Sequence, residues 1–292
     1  MPASRFADSA TDLFIGAESS ARPSLFAALG ELRAPLEGSL FWLSALTHRF
    51  PKARPDARRI VMLIPGFMAG DATLAPMSAF VQWLGHRTFY SGISSNSDCP
   101  RDTVARLGRR LVNTHERFGE QIVIIGQSLG GVYARQLARE YPQMVERAIT
   151  LGSPIRSPRD SANVAVQAVA RTVALVRGKT DGCLSENCRC GMMLSDEAPN
   201  GVAVTAVYSR TDGIVHWDSC VDRSGAPEIE NIEVMGSHCG MGVNPDVCRI
   251  VADRLALPSP ERGSVAARTG SHPIADAPPA VGSHQGRSIP LN

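Results

Sequence analysis

The chain has no apolar run of about 18 residues, the minimum for an ordinary membrane-spanning helix. It has no excess of charge of either sign. Thirty basic against 28 acidic side chains leave a formal +2, too little for the long-range field that holds nucleic acid. No basic stripe interleaved with aromatics makes up for this, and there are no internal repeats. The first residues, Met1-Pro2-Ala3-Ser4-Arg5-Phe6-Ala7-Asp8, hold no apolar signal core, so a cytoplasmic or already trimmed protein is expected. Metal-ligand spacing is missing too. Cys188-Arg189-Cys190 is too tight for a C-x-x-C knuckle and has no histidine close by. Neither metal nor cofactor is expected. At 292 residues there is room for one large α/β domain with a sizeable core.

What the chain does have is Gly126-Gln127-Ser128-Leu129-Gly130, which reads G-x-S-x-G. Before it runs the β-branched Gln121-Ile122-Val123-Ile124-Ile125; after it, a helical pattern from Gly131 to Tyr141 stops at Pro142. The five-residue pattern alone recurs by chance as an ordinary glycine turn. Its position between a strand and a helix gives it meaning. A serine on such a sharp bend projects its hydroxyl out of the sheet, and flanking glycines let the helix pack close. That geometry suits a nucleophile for acyl transfer.

Elements alternate around this motif. A strand is predicted over 60–64, a helix over 73–85, a short strand over 88–90 and an amphipathic helix over 101–118. Strands follow at 147–151, 202–208 and 231–235. A last helix begins at Asn244-Pro245, a good cap and first position, and runs to about Leu257. Such alternation argues for a mostly parallel sheet covered by helices on both faces. Residues 1–57 are expected to form a helical segment packing on the core. Its stripe of Leu25, Leu29, Leu32, Leu36, Leu40 and Leu43 is interrupted by Pro35 and Gly38. A helical cap and an interfacial helix touching lipid through 24–47 are both readings of that stripe. Residues 58–257 form the expected catalytic domain, with a lid-like insertion at about 155–200, where ligands bind over the carboxyl ends of the strands. From Pro258 to 292, proline, glycine, serine and alanine predominate, predicting a disordered tail.

A serine hydroxyl needs a base, and the base needs a carboxylate to fix its tautomer. In strand-to-helix serine enzymes these partners follow later in the chain, acid before base. Asp212 is the chosen acid, in a loop after the 202–208 strand with Gly213 beside it; Asp218 and Asp222 compete. His238, in the glycine-rich loop after the last strand, is the chosen base. His216 reads as a surface loop residue, and His86 lies at the wrong end of its strand. Two backbone N–H groups should receive the oxyanion. One is Leu129, after the serine. The other is Phe67, in the Pro65-Gly66-Phe67 turn, with Met68 as second choice.

Together, Pro65-Gly66-Phe67, Gly126-Gln127-Ser128-Leu129-Gly130-Gly131, Leu151-Gly152-Ser153-Pro154, Asp212 and Gly236-Ser237-His238 resemble the α/β-hydrolase superfamily, and within it bacterial lipases and esterases. The resemblance spans roughly 58–257 and implies an α/β-hydrolase fold with a serine triad. It departs at Pro65, where many lipases carry a histidine. The implied activity is hydrolysis of a small-molecule or lipid ester with an apolar acyl group. Ala165, Val166, Val169, Val173, Leu175, Val176 and Met192-Met193-Leu194 would line the acyl site or form a lid. The same acyl-enzyme would serve an acyltransferase, and a non-catalytic binding protein is the reading from another class. No obligate protein partner is inferred. The seven cysteines fit disulfides tying the insertion, one of them to Cys220, as well as they fit reduced thiols.

Overall fold

The computed structural model describes Glu31, residues 57–155 and residues 197–259. The expected helices within 24–47, the apolar stretch 162–176, Cys183, Cys188, Cys190 and the tail beyond Ser259 lie outside the described residues. Six strands form one sheet: β1 Ile60–Ile64, β2 Arg87–Tyr90, β3 Ile122–Gln127, β4 Val145–Leu151, β5 Ala203–Tyr208 and β6 Ile229–Glu233. Their order is β2-β1-β3-β4-β5-β6, and every pairing is parallel. Among the described residues four α-helices accompany them: α1 Ala75–Trp83, α2 Pro100–Phe118, α3 Leu129–Glu140 and α4 Pro245–Ala256.

The central strands are apolar throughout because both of their faces are covered. β1 and β4 are buried along their whole length. Side chains alternate between two cores. Val61, Leu63, Val123, Ile125, Ile149 and Leu151 pack with residues of α1 and α4. Ile60, Met62, Ile64, Ile122, Ile124 and Ala148 pack with α2 and α3. The period of two along each strand thus assigns helices to both faces.

Boundaries differ from the sequence reading by a residue or two at most elements, and two of the shifts have a visible cause. The helix predicted over 73–85 spans only Ala75–Trp83, after a 3₁₀ turn at Asp71–Leu74. The Asp71 carboxylate accepts hydrogen bonds from the N–H groups of Ser91, Gly92 and Ile93, tying this turn to the loop after β2. β6 begins two residues earlier than predicted. Its polar Glu230 and Asn231 are held by partners off the strand: Arg254 pairs with Glu230, and Asn231 bonds the backbone of Asp222. The α4 start is as its sequence suggests, with the Asn244 side chain accepting from Asp246 and Val247 N–H.

Because all strands run the same way, their carboxyl ends share one edge of the sheet. The β1 turn, the Ser128 bend, the Asp212 loop and the His238 loop all leave from that edge.

Candidate active site

Ser128 sits between β3 and α3 at φ 51° and ψ −122°. A non-glycine residue at positive φ costs roughly 1–2 kcal/mol and persists only where its surroundings fix it. Here they do. Ser128 N–H donates to Leu151 O on β4 at 2.8 Å, and Ser128 O accepts from Gly131 N–H at 2.9 Å. Close packing explains the glycines that follow. A Cβ on Gly130 would collide with the Ile64 carbonyl, and one on Gly131 with the Ser153 side chain. Ser128 also stands at the N-cap of α3, where a serine normally accepts a hydrogen bond from the first turn. Its side chain makes no such cap. The hydroxyl is directed elsewhere.

Asp212 and His238 meet. His238 Nδ1–H donates to Asp212 Oδ2 at 2.6 Å, with both side chains buried. The other carboxylate oxygen, Oδ1, accepts from Ile214 N–H and Val215 N–H, each at 2.8 Å. The carboxylate is therefore fixed from two sides. Burial pulls the His238 pKa down, but the Asp212 charge and hydrogen bond, together with the Glu31 charge, outweigh it and leave the imidazole above its usual value. With Nδ1 carrying the proton, Nε2 is left as the base.

His238 is anchored to the serine bend through its backbone. Gln127, the residue before Ser128, donates from Nε2 to His238 O at 3.0 Å. Gly152, at the end of β4, takes φ 57°, and a Cβ there would stand 3.1 Å from His238 Nδ1. No Ser128 Oγ–His238 hydrogen bond forms in this structure. Such contacts often tighten only once substrate is bound.

The turn after β1 faces the same bend. A Cβ on Gly66 would lie 3.1 Å from Ser128 Cβ. The N–H groups of Phe67 and Leu129 have no hydrogen-bond partner among the described residues. Met68, the second choice for an oxyanion donor, spends its N–H on Asn96 O at 3.0 Å, which removes it from that role. Asn96 also donates from Nδ2 to Pro65 O at 2.8 Å, and its own N–H bonds Ala69 O. This fully buried asparagine braces the turn from outside it.

The competing acids are occupied. Asp218 pairs with Arg223. Asp222 pairs with Arg135 of α3 at 2.6 Å, both side chains almost wholly buried. Burial pushes the Asp222 carboxyl up, yet hydrogen bonds from Ser224 and the Arg135 charge hold it below the usual carboxylate range. Its contribution to stability is thus present at neutral pH and is lost as pH falls through that lowered value. Asp222→Ala would leave the buried Arg135 charge without this carboxylate. A loss of about 3–5 kcal/mol is expected, read as a fall in the urea midpoint; an unchanged midpoint would show that the pair contributes nothing.

Other sequence candidates take structural places. His86 accepts from Arg59 N–H at the opposite end of the sheet; burial, helped by the Arg59 charge, lowers its pKa to about 4. The His216 ring lies tilted against that of Trp217, centroids 5.7 Å apart. Cys220, weighed above as a tether to the insertion, is a buried thiol, as is Cys248, whose pKa burial raises to about 12. Among the described residues no group of three or more His, Cys, Asp or Glu could hold a metal ion, and no helix is long and apolar enough to cross a membrane.

Sequence reasoning missed Gln127, Asn96 and Glu31. Each acts through a contact distant in sequence, and none carries a local periodic signal.

No protein-family model matches the chain, and no curated protein matches it in sequence. Solved structures do. A Bacillus licheniformis lipase in its mature form is 17% identical, with a TM-score of 0.51 over 71% of this chain and 95% of that one. The propeptide form of the same lipase is 18% identical, with a TM-score of 0.53 over 74% of this chain. Aspergillus fumigatus lipase B is 13% identical, with a TM-score of 0.55 over 70% of this chain. The chain spans 54% of the length of each of these last two. At such identities the likeness speaks for architecture, and with the parallel sheet described above it gives a definite result: this chain has the α/β-hydrolase fold.

Proposed function

We propose that the protein is a serine carboxylic-ester hydrolase. The observation that carries this reading is the strained Ser128, whose hydroxyl caps nothing, on the sheet edge that also bears the Asp212–His238 pair. His238 Nε2 takes the Ser128 proton as Oγ attacks the acyl carbonyl, forming a tetrahedral adduct. The oxygen bearing the new charge is received by the Phe67 and Leu129 N–H groups. Collapse of the adduct breaks the bond to the alcohol, which leaves with the proton from His238. Water then attacks the acyl-enzyme with His238 again as base, releasing the acid and restoring Ser128.

An apolar acyl group fits the surroundings. Met68, an exposed large apolar side chain, stands on the oxyanion turn. The sequence of the insertion is apolar from Ala165 to Val176 and at Met192-Met193-Leu194, the composition suited to an acyl site. The structural neighbours described above are lipases, which supports the same reading.

The test is a serine-directed fluorophosphonate followed by peptide mass spectrometry, with a nitrophenyl ester series of increasing acyl length. The expected result is a single adduct on Ser128 and concurrent loss of turnover. Turnover that survives full labelling of Ser128 would overturn the reading.

A further inference from the structure

Glu31 belongs to the segment that precedes the core, yet its carboxylate reaches both loops of the candidate site. Oε1 accepts from Gly213 N–H at 2.9 Å and from His238 N–H at 2.8 Å. Oε2 accepts from Cys239 N–H at 3.0 Å. Gly213 directly follows Asp212, and Cys239 directly follows His238. One side chain therefore joins the backbones of the acid loop and the base loop, more than 180 residues away in sequence.

Three main-chain donors converging on two oxygens describe an ionised carboxylate, because only the charged form accepts on both oxygens without donating. Where the two loops start they are already tied, because the Ser209 and Thr211 hydroxyls donate to Gly236 O at 2.8 and 3.0 Å; Glu31 adds the tie farther along, at the catalytic pair itself. Asp212 Oδ1 is committed to its own loop, at Ile214 and Val215. On the base loop, Gln127 holds the His238 carbonyl and Glu31 holds its N–H. The peptide groups on both sides of the imidazole are thus pinned, one to the serine bend and one to Glu31.

We infer that Glu31 is a positioning residue for the Asp212–His238 pair, holding Gly213, His238 and Cys239 together next to the pair and adding a second negative charge near the imidazole. This rests on the serine-hydrolase reading for its effect on rate, but not for its effect on the histidine. The charged groups that face His238 are Asp212 and Glu31, and both favour the protonated ring. Stabilising that form helps the proton transfer from Ser128, since the imidazolium is what develops during attack. It also has a visible consequence at equilibrium. The base works only when neutral, so each charge that favours protonation moves the acid limb of the pH–rate profile upward.

Two variants of the full chain separate geometry from charge. Glu31→Gln keeps one oxygen that can accept from Gly213 and His238, gives up the bond to Cys239 and removes the charge. Glu31→Ala removes both. The Ala variant is expected to lose up to about 10²-fold in kcat with KM little changed, the penalty of a small misplacement at a reacting centre. The Gln variant is expected to recover most of that rate while its acid limb shifts to lower pH. The His238 ring, titrated by NMR in the Gln variant and assigned by its disappearance in His238→Gln, is expected to show a lower midpoint than in the parent. That readout needs no turnover, and it holds if the Ala variant does not fold.

A Gln variant whose His238 midpoint and acid limb coincide with those of the parent would overturn the inference, as would an Ala variant with parental kcat. Ser128→Ala measured alongside keeps the two readings apart. If Ser128→Ala turns over ester like the parent, the serine reading fails. If it is silent while both Glu31 variants behave as the parent, only the role of Glu31 fails.

Discussion

Ser128→Ala is expected to abolish ester turnover and leave the fold untouched. The expected loss in kcat is on the order of 10⁶-fold, the scale on which a serine triad depends on its nucleophile. The structural half of this expectation comes from what the hydroxyl does not do. It makes no cap to the first turn of α3. The contacts that hold residue 128 in place are main-chain ones, to Leu151 and from Gly131. Alanine keeps the Cβ that Gly66 packs against, and the strain at positive φ is the same for both residues. The change in stability should therefore stay within about 0.5 kcal/mol, as for a substitution that breaks no buried contact. Initial rates on a short-chain nitrophenyl ester and urea midpoints on the same preparations decide it. Parental activity in the alanine variant would remove Ser128 from the chemistry. Silence with a collapsed midpoint would show that the side chain supports the bend after all.

The sequence made the frame of this site legible because the frame is periodic or punctuated. Continuous β-branched runs such as Ile122 to Ile125 mark strands buried on both faces, and glycine and proline mark where they end. Ser128 could be placed because its strand and its helix both announce themselves. Asp212 and His238 could be placed because each lies in the first loop after a strand. What the sequence could not do was dismiss Asp218 and Asp222, since their occupation by Arg223 and Arg135 is a fact of packing. It ranked Phe67 over Met68 as an oxyanion donor but could not remove Met68. What removes Met68 is where Asn96 puts its carbonyl oxygen. Glu31 was the least legible of all. It lies between Leu29 and Leu32 in an apolar stripe, where a glutamate reads as part of the solvated face. Only the fold brings it to Gly213 and His238.

Asp212→Asn is expected to lower kcat by about 10⁴-fold with little loss of structure, and the hydrogen bonds around this residue dictate why. The two N–H groups of Ile214 and Val215 both point at Oδ1. In an asparagine the position of Oδ1 must remain an oxygen, because an NH₂ placed there would face two donors. The amide nitrogen is then forced into the position of Oδ2, against His238 Nδ1. A donor there requires Nδ1 to accept, so the ring proton moves to Nε2, and the nitrogen that should receive the Ser128 proton already carries one. The substitution thus selects the wrong tautomer through its own loop. It also removes the charge that, with Glu31, lifts the His238 pKa, so the midpoint of that ring should fall. As pH rises, wild-type activity should climb through the His238 titration; the asparagine variant should stay low across that range, because deprotonation no longer exposes the required lone pair at Nε2. A variant that recovers parental kcat at any pH between about 5 and 8, the ordinary range of imidazole titration, would show that Asp212 does not set the tautomer.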